Sequence, residues 1–426
     1  MSRAVVLFTR DLRVRDHPAL AAATHEHREV VPLFVLDDRL LTSANRTAFL
    51  LDALSALRDA LDGMLVVRRG DPARVAAGFE PDAVYVTNDW SAYARRRHDR
   101  LRSVADVRVF PGAAIVEPGH VAPAGGDHYR VFTPYWRAWS AVARRAVAPP
   151  PDTFRLPPGT EPEAIPRLAD LVSTKASPSL PPGGEAEGLR RLERFLDRGL
   201  PSYGDDRSAL AVEGTSGLSP YLRFGCISPL EVAIRAEEGG GDDFVRQLAW
   251  RDFYLQLLAA FPSLPVADYR ARGRVWRDDP DAVAAWQSGR TGIPIVDAGM
   301  RQLADQGWMP NRVRLLAASL LVKNLGIDWR IGAAHFSDLL VDGDPASNAG
   351  NWQWVAGTGT DTRPNRVFNP VRQAHRFDPE GHYVRRHVSE LRELAPPDVH
   401  EPWRLGPLTL AELDYPPPLI ELGVAA

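Results

Sequence analysis

The sequence predicts an α/β N-terminal domain built on a doubly wound parallel sheet, followed by an all-α C-terminal domain. Three observations carry this expectation. Short apolar, β-rich runs alternate with amphipathic stretches over residues 1–145. Strands that are apolar throughout and separated by helices read as a parallel sheet covered on both faces. A proline- and glycine-rich stretch occupies 146–184, and its composition reads as a linker long enough to wrap across a surface. From 185 to 426 helical periodicity dominates and strand signals vanish.

Taken in order, strands are expected at 4–8, 30–36, 64–67, 83–86 and 107–109, with helices near 45–61, 74–77 and 91–103. After the first strand stands Thr9-Arg10-Asp11-Leu12-Arg13, where a dinucleotide fold would carry Gly-x-Gly-x-x-Gly, so an ordinary NAD site is not expected. Pro149-Pro150-Pro151, Pro157-Pro158 and Pro181-Pro182-Gly183-Gly184 mark the linker. Helices are then expected at 244–260, 295–306, 311–324 and 329–341. No internal repeat is evident, and the Pro- and Leu-rich tail past 395 carries no functional signal.

With 426 residues, 45% of them hydrophobic, the chain can bury real cores. Its net charge of −3 gives no global basic field, so any nucleic-acid contact must come from a local patch. Of the 51 basic residues only Lys175 and Lys323 are lysines; this arginine excess reads as GC-rich coding and discounts arginine counting. Cys226 is the single cysteine, which excludes an intramolecular disulfide and a thiolate metal cluster, and no metal site is expected. No signal peptide or membrane-spanning run is apparent. The chain is therefore expected to be cytoplasmic, without a membrane partner, and monomeric.

The most informative segment is Asp342-Gly343-Asp344-Pro345-Ala346-Ser347-Asn348-Ala349-Gly350-Asn351-Trp352-Gln353-Trp354. Buried tryptophans usually just pack. Packing alone does not ask for Asp342, Asp344, Asn348 and Asn351 beside Trp352 and Trp354, because buried polar groups need partners. A polar, nitrogen-rich cofactor would supply them. The segment from Gly214 to Tyr221 joins small residues and hydroxyls just before a helical pattern, which suits either a helix cap or a phosphate cradle. Gln247, Trp250, Arg251 and Tyr254 share a helical face, offering an amide, a ring and a guanidinium for a base, or a structural ion pair. In Gly307-Trp308-Met309-Pro310-Asn311-Arg312-Val313-Arg314, Pro310 suits a helix start, and Arg314 can pair with a carboxylate such as Asp342.

Together these segments resemble the photolyase/cryptochrome family of flavoproteins, most closely the bacterial class I members that act on cyclobutane pyrimidine dimers. The match runs from residues 4–13 to 400–403 and is most specific at 215–225, 250–254, 286–314 and 342–354. The resemblance implies an antenna domain and a helical domain holding FAD, active in its reduced anionic form. It places Tyr203, Thr215, Ser216, Gly217, Leu218, Ser219 and Phe244 at the flavin phosphates and ribose. Arg251, Trp308, Arg314, Asp342, Gly343, Asp344 and Asn348 would line the flavin and its adenine. Trp352, Trp329 and Trp276 match the family's electron relay, and Asn348 is the photolyase-like choice beside the flavin. Trp250 and Trp354 would flank a flipped dimer in UV-damaged DNA, with Gln247, Asn311, Arg312 and Leu315 on the same side. The implied activity is a light-driven deoxyribodipyrimidine lyase reaction, a DNA repair.

The chain departs from this pattern at Gln247, where related dimer photolyases place Glu, and at Leu315, which replaces a common Met. Gln247 resembles (6-4) photolyases and animal cryptochromes, yet the paired histidines of the (6-4) enzymes are absent around Pro310-Asn311 and Leu315. A (6-4) photolyase or a cryptochrome-like blue-light receptor therefore stands as the alternative, although only a short stretch follows Trp403, against the long extension of signalling members. A generic flavoprotein reductase would need a nicotinamide site, for which no signal exists. For the antenna, Asp89 and Arg46 resemble the deazaflavin-binding pattern, whereas folate binders carry Glu at the position of Ser91. The expected antenna is 8-hydroxydeazaflavin, ahead of methenyltetrahydrofolate.

Overall fold

A computed structural model describes residues 2–212 and 214–421. Five strands, β1 (Arg3–Phe8), β2 (Glu29–Leu36), β3 (Val66–Arg69), β4 (Ala83–Thr87) and β5 (Asp106–Phe110), form one sheet in the order β3-β2-β1-β4-β5. Every pairing is parallel. Helices α1 (Pro18–Glu26), α2 (Ala44–Ala60), α3 (Pro72–Ala77) and α4 (Ala92–Arg102) make the crossovers. β2 and β4 are buried along their whole length, as strands covered on both faces must be, while β5 is a half-exposed edge. Side-chain caps start the helices: Ser43 for α2, Asp71 for α3 and Ser91 for α4. The strand order reverses between β1 and β4, which leaves a crevice outside their C-terminal ends.

After α5 (Phe132–Ser140) the chain runs with little regular structure to α6 (Glu185–Arg194). This stretch is tied down across the sheet domain. Arg58 and Arg68 donate to the carbonyls of Glu163 and Glu161, and Ser177 donates its amide to Asn45 at 2.7 Å. Gly183 lies so close to α2 that a Cβ there would stand 2.4 Å from the Phe49 carbonyl.

The remaining helices are α7 (Tyr203–Asp206), α8 (Ser219–Phe224), α9 (Pro229–Glu238), α10 (Asp242–Ala260), α11 (Pro280–Gln287), α12 (Pro294–Gln306) and α13 (Asn311–Ser319). They are followed by α14 (Trp329–Leu339), α15 (Pro345–Ala356), α16 (Pro370–Phe377), α17 (His382–His387) and α18 (Pro407–Glu412). The helix expected over 311–324 ends at Ser319 and widens into a π turn at Leu320–Asn324. No described helix is long and apolar enough to cross a membrane.

The two halves share a core. One apolar cluster runs from Ala4, Val6 and Phe8 through Phe132 and Trp139 to Phe253, Val341 and Ala349. A buried carboxylate reinforces the joint: Asp252 of α10 accepts from the amides of Ile115 and Val116 and from Trp139 Nε1, each at 3.0 Å.

Lower in the helical half, Arg301 donates to Glu390 at 2.6 and 2.8 Å. Against a burial that works the other way, this guanidinium holds the Glu390 carboxyl down to about 2, from an ordinary 4.5. A carboxylate with a depressed folded-state pKa contributes stability that is present above its unfolded value and lost as pH falls through its folded one. Glu390→Gln is therefore expected to lower Tm above pH 4.5, with the two proteins converging as pH falls towards about 2. Thermal melts across that window check this; parallel curves would reject it.

Candidate flavin and DNA site

The Asp-Gly-Asp segment connects α14 to α15. Asp344 caps α15 by accepting from the Ser347 amide at 2.8 Å, and Pro345 opens the helix. Asp342, two residues earlier, is the hub of a network. Arg314 donates to its two oxygens at 3.0 and 2.8 Å, and the Ser219 hydroxyl donates at 2.6 Å. Trp308 Nε1 in turn donates to Ser219 Oγ at 3.2 Å. The Arg314–Asp342 pair read from the sequence is thus formed, and it gathers residues from three separate segments.

Two cavities flank this network. One, of about 470 Å³, is lined by Asn311, Arg314, Leu315, Asp342, Asn348 and Trp352, among others. The other, of about 1910 Å³, is lined by Thr215, Ser216, Gly217, Trp308 and several arginines. The Ser219–Asp342–Trp308 contacts lie between them, since Asp342 faces the first and Trp308 the second. Gly217 turns the chain with φ +62°, a left-handed geometry that glycine adopts without strain. The helix that follows, α8, has no side-chain cap at its start, but its first turn is poor in donors: Pro220 carries no N–H, and the Leu218 amide donates to Ser216 Oγ at 3.4 Å.

Some expected flavin residues sit elsewhere. Tyr203 and Phe244 are 5.3 Å apart in an aromatic cluster with Phe195, off the walls of both cavities. Leu218 is buried in the core. Arg251 corrects the reading of its helical face. Its guanidinium donates to the carbonyls of Ala113 and Leu222, so it ties α10 to the sheet domain and leaves Gln247 and Trp250 as the face's polar and aromatic groups. Asp344 is also claimed from the sheet domain, by Arg10. Although burial works the other way, Arg10 and Arg223 hold its carboxyl far below the usual carboxylate range. Ser347 and Phe336 line the smaller cavity and were not anticipated; Ser347 lies three residues after Asp344, a helical spacing that signals a shared face.

Trp352 and Trp329 are buried, whereas Trp276 is half-buried beneath Arg274. Trp352 packs against Phe336 and Trp286, with centroids 5.0 and 6.0 Å away. Trp329 donates its Nε1 to Asp268 at 2.9 Å. Asn348 donates to the Ala333 carbonyl at 2.9 Å. Trp250 stacks on Phe132 at 3.8 Å and 7°, while Trp354 has Arg366 over its ring at 5.0 Å; both are half-buried, as is Gln247. Asn311 is exposed. Burial, with the guanidiniums of Arg376 and Arg207 close by, pushes Arg312 below its ordinary range. These three arginines form a local concentration of positive charge on a weakly acidic chain.

A third cavity, of about 1090 Å³, opens over the C-terminal ends of β1 and β2 and the loop after β4, and includes Arg46, Asp89 and Ser91 in its walls. Asp89 is buried, yet Arg10 and Arg97 hold its carboxyl below the ordinary range. Arg46 reaches across to the Ser337 carbonyl. The Ser91 hydroxyl is occupied in capping α4.

Comparison with known proteins agrees with this architecture. Residues 4–154 match the model of the DNA photolyase family, and 244–426 match the FAD binding domain of DNA photolyase. A deoxyribodipyrimidine photo-lyase of Streptomyces griseus is 49% identical, covering 100% of this chain and 98% of its own. That of Escherichia coli is 35% identical, covering 99% and 96%. A class III photolyase structure from Agrobacterium tumefaciens superposes with a TM-score of 0.90 at 35% identity, covering 99% of this chain and 95% of its own. A Synechocystis cryptochrome reaches the same TM-score of 0.90 at 27% identity, covering 99% and 97%. This fold is thus shared along nearly the whole length of these relatives, and the chain belongs to the DNA photolyase family.

Proposed function

We propose that this protein is a deoxyribodipyrimidine photo-lyase that repairs cyclobutane pyrimidine dimers in UV-damaged DNA under blue light. The observation that carries this reading is the Arg314–Asp342–Ser219 network between two cavities, together with half-buried Trp250 and Trp354 on the packed helices α10 and α15. The residues fit FAD. The Thr215 and Ser216 hydroxyls and the arginines around the larger cavity suit a pyrophosphate, and Arg314 and Asn348 suit a polar ring system. When bound and reduced, FAD supplies the photoexcited electron that opens the cyclobutane ring, and recovers it afterwards.

The chain's own part is binding, orientation and exclusion of water. A dimer has lost stacking and pairing, so flipping it out costs less than flipping normal bases. Indole faces such as those of Trp250 and Trp354 accept it by stacking, worth about 1–3 kcal/mol per base. Asn311, Arg312 and Leu315 flank that side. Arg314, fixed by Asp342, favours an anionic ring nearby, and Asn348 orients beside it. Trp352, Trp329 and Trp276 are proposed to refill the flavin with electrons, going from buried to half-buried rings. Tyr203, Phe244 and Leu218 support the site from behind. The 1090 Å³ cavity is proposed to take 8-hydroxydeazaflavin at Asp89 and Arg46, since position 91 offers no carboxylate for a folate; the pigment extracted from the protein tests this, and a pterin spectrum would reject it. The repair unit is proposed to be a cytoplasmic monomer.

Gln247 favours a second reading, a (6-4) enzyme or light receptor, so lesion choice is the test. Binding is compared for oligonucleotides carrying one cyclobutane dimer, one (6-4) product or no damage. Preference for the cyclobutane dimer is expected, strengthened in Gln247→Glu, whose carboxylate accepts more strongly. Preference for the (6-4) product, or none, would overturn the reading.

A further inference from the structure

Lys323 is one of two lysines in a chain that otherwise uses arginine. It stands on the π turn Leu320–Asn324 that interrupts the run from α13. Its Nζ donates to the carbonyl of Ala356, the last residue of α15, at 3.1 Å and to that of Pro364 at 2.6 Å. These two carbonyls bracket the loop 357–363. At the near end the loop is fastened by the amides of Gly357, Thr358 and Gly359, all donating to the Gln353 carbonyl. Beyond Pro364 it carries Arg366 over the Trp354 ring at 5.0 Å and Phe368 at 6.4 Å from it. Trp354 is exposed only in part, so the far end of this loop is one wall around the ring. Closing a loop costs entropy, and a contact across its ends offsets that cost. An ammonium with three donors on a compact head meets two carbonyls at once, where the wide planar guanidinium fits less well.

We infer that Lys323 is a positioning residue for the lesion-binding wall: it staples Ala356 to Pro364 and so holds Arg366 and Phe368 against Trp354. This rests on the reading of Trp354 as a dimer-contacting ring. Lys323 touches neither flavin nor lesion in this assignment; it acts through the loop, and its loss changes affinity for the lesion rather than the photochemical step.

The test uses the full chain with FAD bound, as wild type, Lys323→Met and Lys323→Arg. Lys323→Met is expected to bind a dimer-containing oligonucleotide about tenfold more weakly. Its flavin content, its affinity for undamaged DNA and its repair yield at saturating DNA are expected to match wild type. Lys323→Arg is expected to recover part of the affinity. Unchanged dimer affinity in Lys323→Met overturns the staple, and so does a parallel loss of flavin and of both affinities, which marks a merely structural residue. If wild type itself shows no preference for the dimer, the photolyase reading fails and not the staple. Hydrogen exchange at 357–368 then decides the staple: faster exchange in Lys323→Met supports it, and unchanged exchange overturns it.

Discussion

Asp342→Ala is expected to strip the protein of FAD. The Asp342 side chain is only 4% exposed and accepts both nitrogens of Arg314 and the Ser219 hydroxyl. Removing it leaves a partly enclosed guanidinium with no counter-charge and a hydroxyl with no acceptor. Losing one partner of a buried ion pair costs about 3–5 kcal/mol, because the remaining charge is left uncompensated. The Trp308 contact to Ser219 would loosen with it, and the two cavities would lose the wall they share. Asp342→Asn keeps the shape and one acceptor and is expected to retain part of the flavin. The ratio of flavin to protein absorbance after purification checks this, with Tm recorded alongside. An Ala variant with full flavin and an unchanged Tm would show that the network is decoration.

Asp252→Ala is expected to be the most damaging substitution for folding. Its carboxyl is completely buried and collects three N–H donors from the segment that leads out of the sheet domain. Burial keeps this carboxyl above the ordinary range even with Arg251 beside it. Truncation orphans the Ile115 and Val116 amides and the Trp139 indole, each at about 1–3 kcal/mol. It also removes the anion next to the half-buried Arg251. Since Trp250 stacks on Phe132 from the same region, the face proposed for the lesion would shift as well. Denaturant midpoints and dimer affinity both check this, and loss in both is expected. A variant of wild-type stability would reject the role assigned to Asp252 in joining the halves.

How much of this was legible in the sequence depends on the range of the interaction. The strands were, because the runs 30–36 and 83–86 within β2 and β4 are apolar and need nothing beyond their own residues to declare it. The third strand was placed early, since Met64 and Leu65 continue the apolar run that enters Val66–Arg69. α1 was missed: it is short, alanine-rich and capped by His17 through its ring nitrogen, which is not a usual start signal. α5 was missed because a main partner of its apolar face, α10, lies far along the chain. The bond between Arg314 and Asp342 was anticipated from chemistry, whereas the claim of Arg10 on Asp344 was not, since their separation of 334 residues carries no local signal. The face read on α10 was half right. Periodicity put Arg251 with Trp250, but the carbonyls of Ala113 and Leu222 drew its guanidinium away.

The central claim is that the chain uses light to open a cyclobutane dimer held at Trp250 and Trp354. The most direct measurement follows the return of thymine absorbance in an oligonucleotide bearing one defined dimer, mixed with the reduced holoprotein under blue light and in the dark. Recovery in the light alone, lost in Trp354→Ala with its flavin retained, is the predicted result. No recovery from a protein that holds photoreducible FAD would contradict it.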